Sequence, residues 1–436
     1  MTSASMISPQ ALPRAFYRLA GTESWERFSL HGMKALLTLY LVERILVDGQ
    51  VAPWGLKALK SSLEGVWGTL TPLAFASQLY GLYAALTYFV LPLGGLLGDR
   101  LIGRRQAIIV GALTIAAGHA CLTIANMLLL ALLLLILGTG MLKANLAAQV
   151  GDLFRPDDSR RGTAFARYLI FLNIGVMLGP LVCGWLAQSI GWEYGFGAAG
   201  IAMLAGLAIY IGTPTATGPG SNAGRKEPPL HSSVTPSVGV AATAILIVVL
   251  AFSAYEQISN IFLVWIKQRI QLDVAGFSVP PAWFVAADGL LTIVMVFASL
   301  RITTLSRMRH GDRLLAGCAA IMLGYAVLAF LSWADVRSIA APIIFMAFLS
   351  LGIALIWPAG LAIVTAAAPA GLAGTMVGLF YLHGFFANLV VGSVGTLYEQ
   401  MSAPCFWALH VAIAGLGFLL ALPMRKRVNG SVMLLD

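Results

Sequence analysis

The stretch TESWERFSLHGMKALLTLYL (residues 22–41) places Glu23, Glu26, Arg27, His31 and Lys34 at the entry of a long apolar run. At about 3.6 residues per helical turn these positions fall on one stripe. Acids and bases one turn apart on a shared face can pair, and can take up and release a proton. A charge at the centre of a membrane helix costs roughly 2.5–3.5 kcal/mol on insertion scales. The stripe is therefore expected to look into a wet interior, with opposite charges offsetting one another. The plainer alternative is a span that begins near Phe28, which would leave Glu23 and Glu26 at the interface. Other charges count against it. Lys143 lies in ALLLLILGTGMLKANLAAQVGDLF (131–154), where Gly138 and Gly140 could let the helix flex. Glu256 lies in AILIVVLAFSAYEQISNIFLVW (244–265) and Asp288 in PAWFVAADGLLTIVMV (281–296). None has the easy snorkelling route of a terminal residue, so each needs a partner or water. Together they mark a polar pathway, which inside a membrane is by default functional.

The elements that must carry these groups follow from composition. The 436 residues are 59% hydrophobic and only 10% charged, with a mean hydropathy of +0.86, whereas soluble domains carry about 25% charged residues. Apolar runs near the ~20 residues needed for a span recur at 15–46, 67–97, 106–125, 128–153, 163–189, 193–212, 238–266, 281–302, 313–333, 338–366, 372–397 and 404–424. The Gly-, Pro-, Ser- and Thr-rich stretch 213–237 is expected to be a flexible linker. The predicted organisation is a six-helix unit over 1–212, the linker, and a second six-helix unit over 238–436. The net charge of +9 does not point to nucleic acid, because the basic residues are sorted by loop. With a cytoplasmic N-terminus, seventeen of the 27 lysines and arginines fall on the inner side and six on the outer. That is the positive-inside bias, with both termini cytoplasmic, and it suits a bacterial inner membrane. Cys121, Cys183, Cys318 and Cys405 are isolated in apolar spans and read as small core residues rather than metal ligands or disulfides. No cleavable signal peptide is visible, so the first span is expected to direct its own insertion. No metal cluster, nucleophile with an adjacent base, or phosphate loop suggests an enzyme.

Between the second and third spans, GGLLGDRLIGRRQAIIVGAL (94–113) makes a tight basic turn whose glycines permit close helix approach. Asp99, Arg100 and Arg104 there are candidates for a conformational latch. SRMRHGDRLLAG (306–317) echoes it faintly between the eighth and ninth spans. With the six-plus-six layout, the turn resembles the major facilitator superfamily, which implies an all-α membrane fold of two bundles rocking about a central site.

Glu23-Ser-Trp-Glu26-Arg27-Phe28 matches the ExxERF signature of the proton-dependent oligopeptide transporter family. GTGMLKANLAAQVGDLF, FLNIGVMLGPLVCGWLAQSIGWEYGFGAAG, FSAYEQ, PAWF and WPAGLAIVTAAAPAGLAGTMVG resemble family segments in the expected order, over most of 15–425. The resemblance implies proton-driven import of di- and tripeptides or peptide-like molecules. It assigns Glu23, Glu26 and Arg27 to proton coupling, Lys143 to the lysine that pairs with that cluster, and Glu256 to protonation and gating. Tyr83 and Asn173 match positions that contact peptide. Several positions depart from the family. Leu30 and His31 replace two tyrosines, while Lys34 keeps the basic residue nearby. Ile353 and Trp357 replace an acid and a serine in the tenth span, and the acid normally meets a peptide amine. Asp288 stands at a family asparagine and could restore that charge. Phe380 and His383 replace a frequent tryptophan and serine.

The mechanism this implies is symport by alternating access, with no cofactor beyond the proton. Protonating Glu23, Glu26 or Glu256 frees its cationic partner. Lys34 and Lys143 attract a substrate carboxylate, and Asp288 attracts an amine. His31 and His383 fall at pocket positions, where a histidine could titrate near neutral pH. His119 and His410, lone in apolar helices, are expected to be structural. The expected partners are a small substrate, protons and the bilayer, with a monomer as the working unit. The rivals are a transporter of a non-peptide solute, a drug/proton antiporter, or a non-transporting sensor.

Overall fold

The computed structural model describes residues 12–47, 52–154, 161–212, 238–368 and 373–431. The predicted linker at 213–237 lies outside these residues, as do Arg155, Arg160, Arg225 and Lys226 of the inner-side basic set. The described residues are helical almost throughout. In order the helices are α1 (Arg14–Tyr40), α2 (Leu56–Trp67), α3 (Pro72–Phe89), α4 (Leu91–Leu97), α5 (Arg104–Leu122) and α6 (Leu128–Asp152). There follow α7 (Arg161–Ser189), α8 (Trp192–Ile211), α9 (Val238–Tyr255), α10 (Ile261–Arg269) and α11 (Ala282–Arg301). The last are α12 (Thr303–Ser306), α13 (His310–Trp333), α14 (Ala340–Ala366), α15 (Ala373–Tyr381), α16 (His383–Gly395) and α17 (Ala403–Ser431). A short hairpin that the sequence reading missed pairs β1 (Asp273–Val274) with β2 (Phe277–Ser278) around Ala275 and Gly276, both at positive φ.

Eleven helical stretches among the described residues are long and apolar enough to cross a membrane. The remaining long rod is α1, continued by a π-helical turn at Leu41–Ile45; it has the length, but its charges exclude it on apolarity alone. The predicted second span starts late. Lys57, Lys60 and Glu64 make 56–67 too polar to cross, so that segment forms the separate α2, and the span begins at Pro72. Thr71 caps α3 by accepting from the Ala74 backbone N–H at 3.1 Å, with Pro72 in the first turn. Three predicted single spans are broken. α3 gives way to α4 at Val90. Glu256–Ser259 form a 3-10 turn between α9 and α10, and α15 gives way to α16 at Leu382.

In the first half, α1 packs against α7 and α8, and α5 against α6; in the second, α13 packs against α14 and α17. The halves meet mainly through α3 on α16 and α7 on α11. Small residues make these approaches possible. Gly138 and Gly140, expected to loosen α6, instead fill contacts: a Cβ on Gly138 would meet Ile115, and one on Gly140 would meet Val90. Cys183 and Cys318 are buried as expected, Cys121 is half-buried, and Cys405 is exposed, because its position on α17 faces outward.

The α1–α7 contact positions the charged stripe. A Cβ at Gly175 would strike the Ser24 carbonyl oxygen and lie 2.8 Å from Arg27 Cβ. Overpacking of this kind typically costs about 1–3 kcal/mol. Gly175→Val should therefore lower the thermal unfolding midpoint of the purified protein and displace Arg27. Gly197→Val, at a position with nothing within 4 Å of its Cβ, should leave the midpoint nearly unchanged. Equal midpoints for the two variants would contradict this packing.

Candidate functional site

The stripe on α1 is present, but its charges divide between two sets of partners. Arg27 donates from Nη2 to Glu23 Oε1 at 2.9 Å, and its Nε lies 3.5 Å from Glu26 Oε2, an ion pair without hydrogen-bond alignment. Glu23 and Glu26 are only 2% and 1% exposed. One guanidinium thus faces two buried carboxylates on its own helix. Lys34, two turns further on, reaches across to the other half and donates to Glu256 Oε2 at 2.6 Å. In this conformation Glu256 holds Lys34, which is expected to meet a substrate carboxylate only once that bond is released. His31, between the two sets, has no hydrogen bond among the described residues, and its charged neighbours are the cations Arg27, Lys34 and Lys143.

The expected pairing of Lys143 with the first-helix acids is also corrected. Among the described residues Lys143 makes no contact ion pair. Its ammonium sits over the Tyr88 ring, 6.0 Å from the centroid, with Glu23 and Glu26 as more distant electrostatic neighbours. The reason is competition, since Arg27 is already bonded to Glu23 and closer to Glu26. Tyr88, which sequence reasoning missed, donates its hydroxyl toward Glu256 Oε1 at 3.5 Å and so stands between Lys143 and Glu256. The signal was available: Tyr88 follows Tyr83 by five residues in GLYAALTYF (81–89).

Polar bonds between the halves gather toward the end where α1 finishes. Beyond Lys34–Glu256, Thr38 donates to Asn260 Oδ1 at 3.0 Å. Asn260 Nδ2 donates to Ser77 Oγ at 2.7 Å and to Gln257 Oε1 at 3.0 Å. Ser77 in turn donates to the Gly392 carbonyl at 3.2 Å. Lys267 pairs with Glu43 at 2.6 Å, and Thr71 bonds Glu399. The helix break after Glu256 lets Asn260 serve α1 and α3 together. Gln257 and Asn260 were overlooked because uncharged polar residues beside a glutamate carry little signal in one sequence. In the Asp99 turn the carboxylate accepts from an arginine. Arg104 bridges Asp99 at 2.6 Å and Asp152 at 2.7 Å, both within the first half. Arg100 is exposed and makes no ion pair among the described residues.

The expected pocket residues divide as well. Asp288 is 2% exposed and accepts from Tyr255 Oη at 2.6 Å and Ser350 Oγ at 2.7 Å. These hydroxyls satisfy it without a cation. Phe380 and His383 are buried together, their rings 4.9 Å apart, with Phe252 packed 4.4 Å from the imidazole. His383 Nδ1 bonds the Phe380 carbonyl at 2.6 Å, so this histidine is held in an aromatic cluster rather than free in a pocket. Trp357 packs edge-on against Phe380 and Tyr381. Asn173 donates to its own helix at Leu169, 2.9 Å away, and Tyr83 is buried with its hydroxyl unpartnered. His410 bonds the Phe406 carbonyl at 2.9 Å and Gln257 at 3.3 Å, as a structural histidine should. Among the described residues there is no cluster that could hold a metal.

Removing one member of a buried ion pair strands the other and typically costs about 3–5 kcal/mol. Lys34→Ala should therefore destabilise the protein in a thermal melt, and adding Glu256→Gln to Lys34→Ala should recover much of the loss. If the double variant is as unstable as the sum of the two single variants, the pair is not coupled.

Known proteins share this architecture. The sequence profile of the Major Facilitator Superfamily matches residues 54–392. A peptide transporter of Yersinia enterocolitica is 25% identical, over 95% of this chain and 96% of its own. A di-/tripeptide transporter of Lactococcus lactis is 36% identical over a shorter region, 45% of this chain and 37% of its own. A crystal structure of a mutant of peptide transporter POT, in complex with alafosfalin, superposes with a TM-score of 0.79 at 24% identity, covering 95% of this chain and 94% of that one. With the superfamily profile matched over most of its length and its helices arranged as in a POT transporter, the chain belongs to the Major Facilitator Superfamily.

Proposed function

We propose that this protein is a proton-coupled symporter that imports di- and tripeptides or peptide-like molecules across a bacterial inner membrane, as a monomer with both termini in the cytoplasm. The observation that carries the reading is the Lys34–Glu256 bond, which joins the two halves inside the bundle at 2.6 Å. A proton on Glu256 removes the negative charge that holds Lys34. The bond between the halves then weakens, Lys34 becomes available to a substrate carboxylate, and the outer end is released. Glu23 and Glu26, held by Arg27, form a second protonation site on the same helix. A membrane potential, negative inside, drives each inward-moving positive charge with about 2.3 kcal/mol per 100 mV. The relatives named for peptide and di-/tripeptide transport support the substrate class.

Lys143, with no contact anion among the described residues, is the natural anchor for a substrate carboxylate. Asp288 is the natural anchor for an amine, once Tyr255 and Ser350 yield one of their bonds. The Trp357, Phe380 and Tyr381 rings favour an apolar or aromatic side chain between these anchors, and they also support a second reading as a transporter of a larger non-peptide solute.

Uptake into proteoliposomes under an imposed inward proton gradient tests the proposal: dipeptide should accumulate above its external concentration, and outward movement against that gradient would indicate an antiporter. Within the same assay, Asp288→Asn should weaken amine-bearing substrates about ten- to a hundred-fold, the equivalent of losing a buried charged hydrogen bond. N-acylated analogues should be nearly unaffected. Equal loss for both classes, or none for either, would remove Asp288 from recognition and favour the non-peptide reading.

A further inference from the structure

Beside Glu26 lies a small cavity between α1, α3, α5 and α6, whose polar lining is Glu26, Ser29, Tyr83, His119 and Thr139. Its polar atoms are poorly matched. Ser29 Oγ and His119 Nε2 lie 2.6 Å apart. Yet Glu26 Oε1 and Oε2, Tyr83 Oη and His119 Nδ1 are all buried with no hydrogen-bond partner in the protein. Glu26, Ser29, Tyr83 and His119 are each 2% exposed or less. A neutral imidazole has one N–H. If Ser29 donates to Nε2, the proton on Nδ1 lacks an acceptor; if Nε2–H donates to Ser29, the Nδ1 lone pair lacks a donor. Either case leaves a group whose desolvation costs about 1–3 kcal/mol. A cavity about the size of one water, with several polar neighbours, is what an internal water requires.

We propose that this cavity is a bound-water site, and that its water joins Glu26 to the Ser29–His119 pair, making His119 a positioning residue for the proton on Glu26. The water donates to the Glu26 carboxylate when it is charged and accepts from its O–H when it is protonated. It has a complementary partner in each state because the Ser29 hydroxyl and the imidazole can exchange donor and acceptor roles. The other ionisable groups facing Glu26 are Glu23 and Arg27 on α1, Tyr83 on α3, Lys143 on α6 and Tyr168 on α7. On the far side of His119, α8 presents Gly200. The inference rests on Glu26 being a protonation site, but not on the substrate.

Infrared difference spectroscopy of the purified protein, titrated with pH, tests it without transport. The Glu26 carboxyl band is identified by its loss in Glu26→Gln. His119→Leu and Ser29→Ala should each shift the midpoint of that band by about 0.7 pH unit, equivalent to a ~1 kcal/mol hydrogen bond, and should abolish a water O–H band that moves in H2-18O. His119→Gln, which keeps a donor and an acceptor, should restore most of the effect. Should His119→Leu not fold, Ser29→Ala carries the test. Midpoints and water bands that coincide with the wild type in the folded variants would overturn the proposal. Because the readout is spectroscopic, it can succeed even if peptide uptake fails.

Discussion

Every charge placed in an apolar bundle must find an opposite charge, a set of hydrogen bonds or water, because an unpaired buried ion costs several kcal/mol. In this protein the constraint is met most consequentially by Lys34 and Glu256, 2.6 Å apart and in opposite halves of the chain. Neither half can bury its own charge alone. The halves are thereby tied together in the middle of the bundle, and the tie depends on an ionisation state. A hydrophobic contact at the same place would be as cohesive but could not be loosened by a proton.

The rest of the polar interior is arranged around that tie. Toward the end where α1 finishes, Asn260, Ser77, Thr38 and Gln257 continue the seam with neutral bonds, and Lys267–Glu43 closes it at the surface. In the other direction Arg27 is shared between Glu23 and Glu26. Tyr88 lies between, turning its ring to Lys143 and its hydroxyl to Glu256. The arrangement places one cation, Lys143, without a contact anion among the described residues, and one anion, Asp288, held only by hydroxyls. In the proposed function, a zwitterionic substrate would supply the two charges that these residues lack.

Much of this was legible in the amino-acid sequence, and what was not has a common cause. Periodicity and apolar length located the helices, and the charges at 23, 26, 27, 34, 143, 256 and 288 stood out because buried ions are rare. Their partners did not stand out. Lys34 and Glu256 are 222 residues apart and Ser29 and His119 are 90, so no local spacing reveals the pairing. Lys143 was expected to bind the first-helix acids, but only the packed structure shows Arg27 claiming them. His383 looked like a pocket residue until the aromatic cluster around it was seen. The broken spans at Val90, Glu256–Asn260 and Leu382 were invisible because a hydrophobic run records depth in the membrane, not the continuity of the helix.

The most direct measurement is the distance across the end of the bundle where α1 finishes, read by spin labels at the exposed positions Lys57 and Arg337, one in each half. If the Lys34–Glu256 bond holds that end closed, the wild type at alkaline pH should show a single short distance, and Glu256→Gln should add a longer population under the same conditions. Acidification should add the same population to the wild type. Distance distributions that are identical in the wild type and in Glu256→Gln at every pH would contradict the account, and would reduce the ion pair to a packing detail.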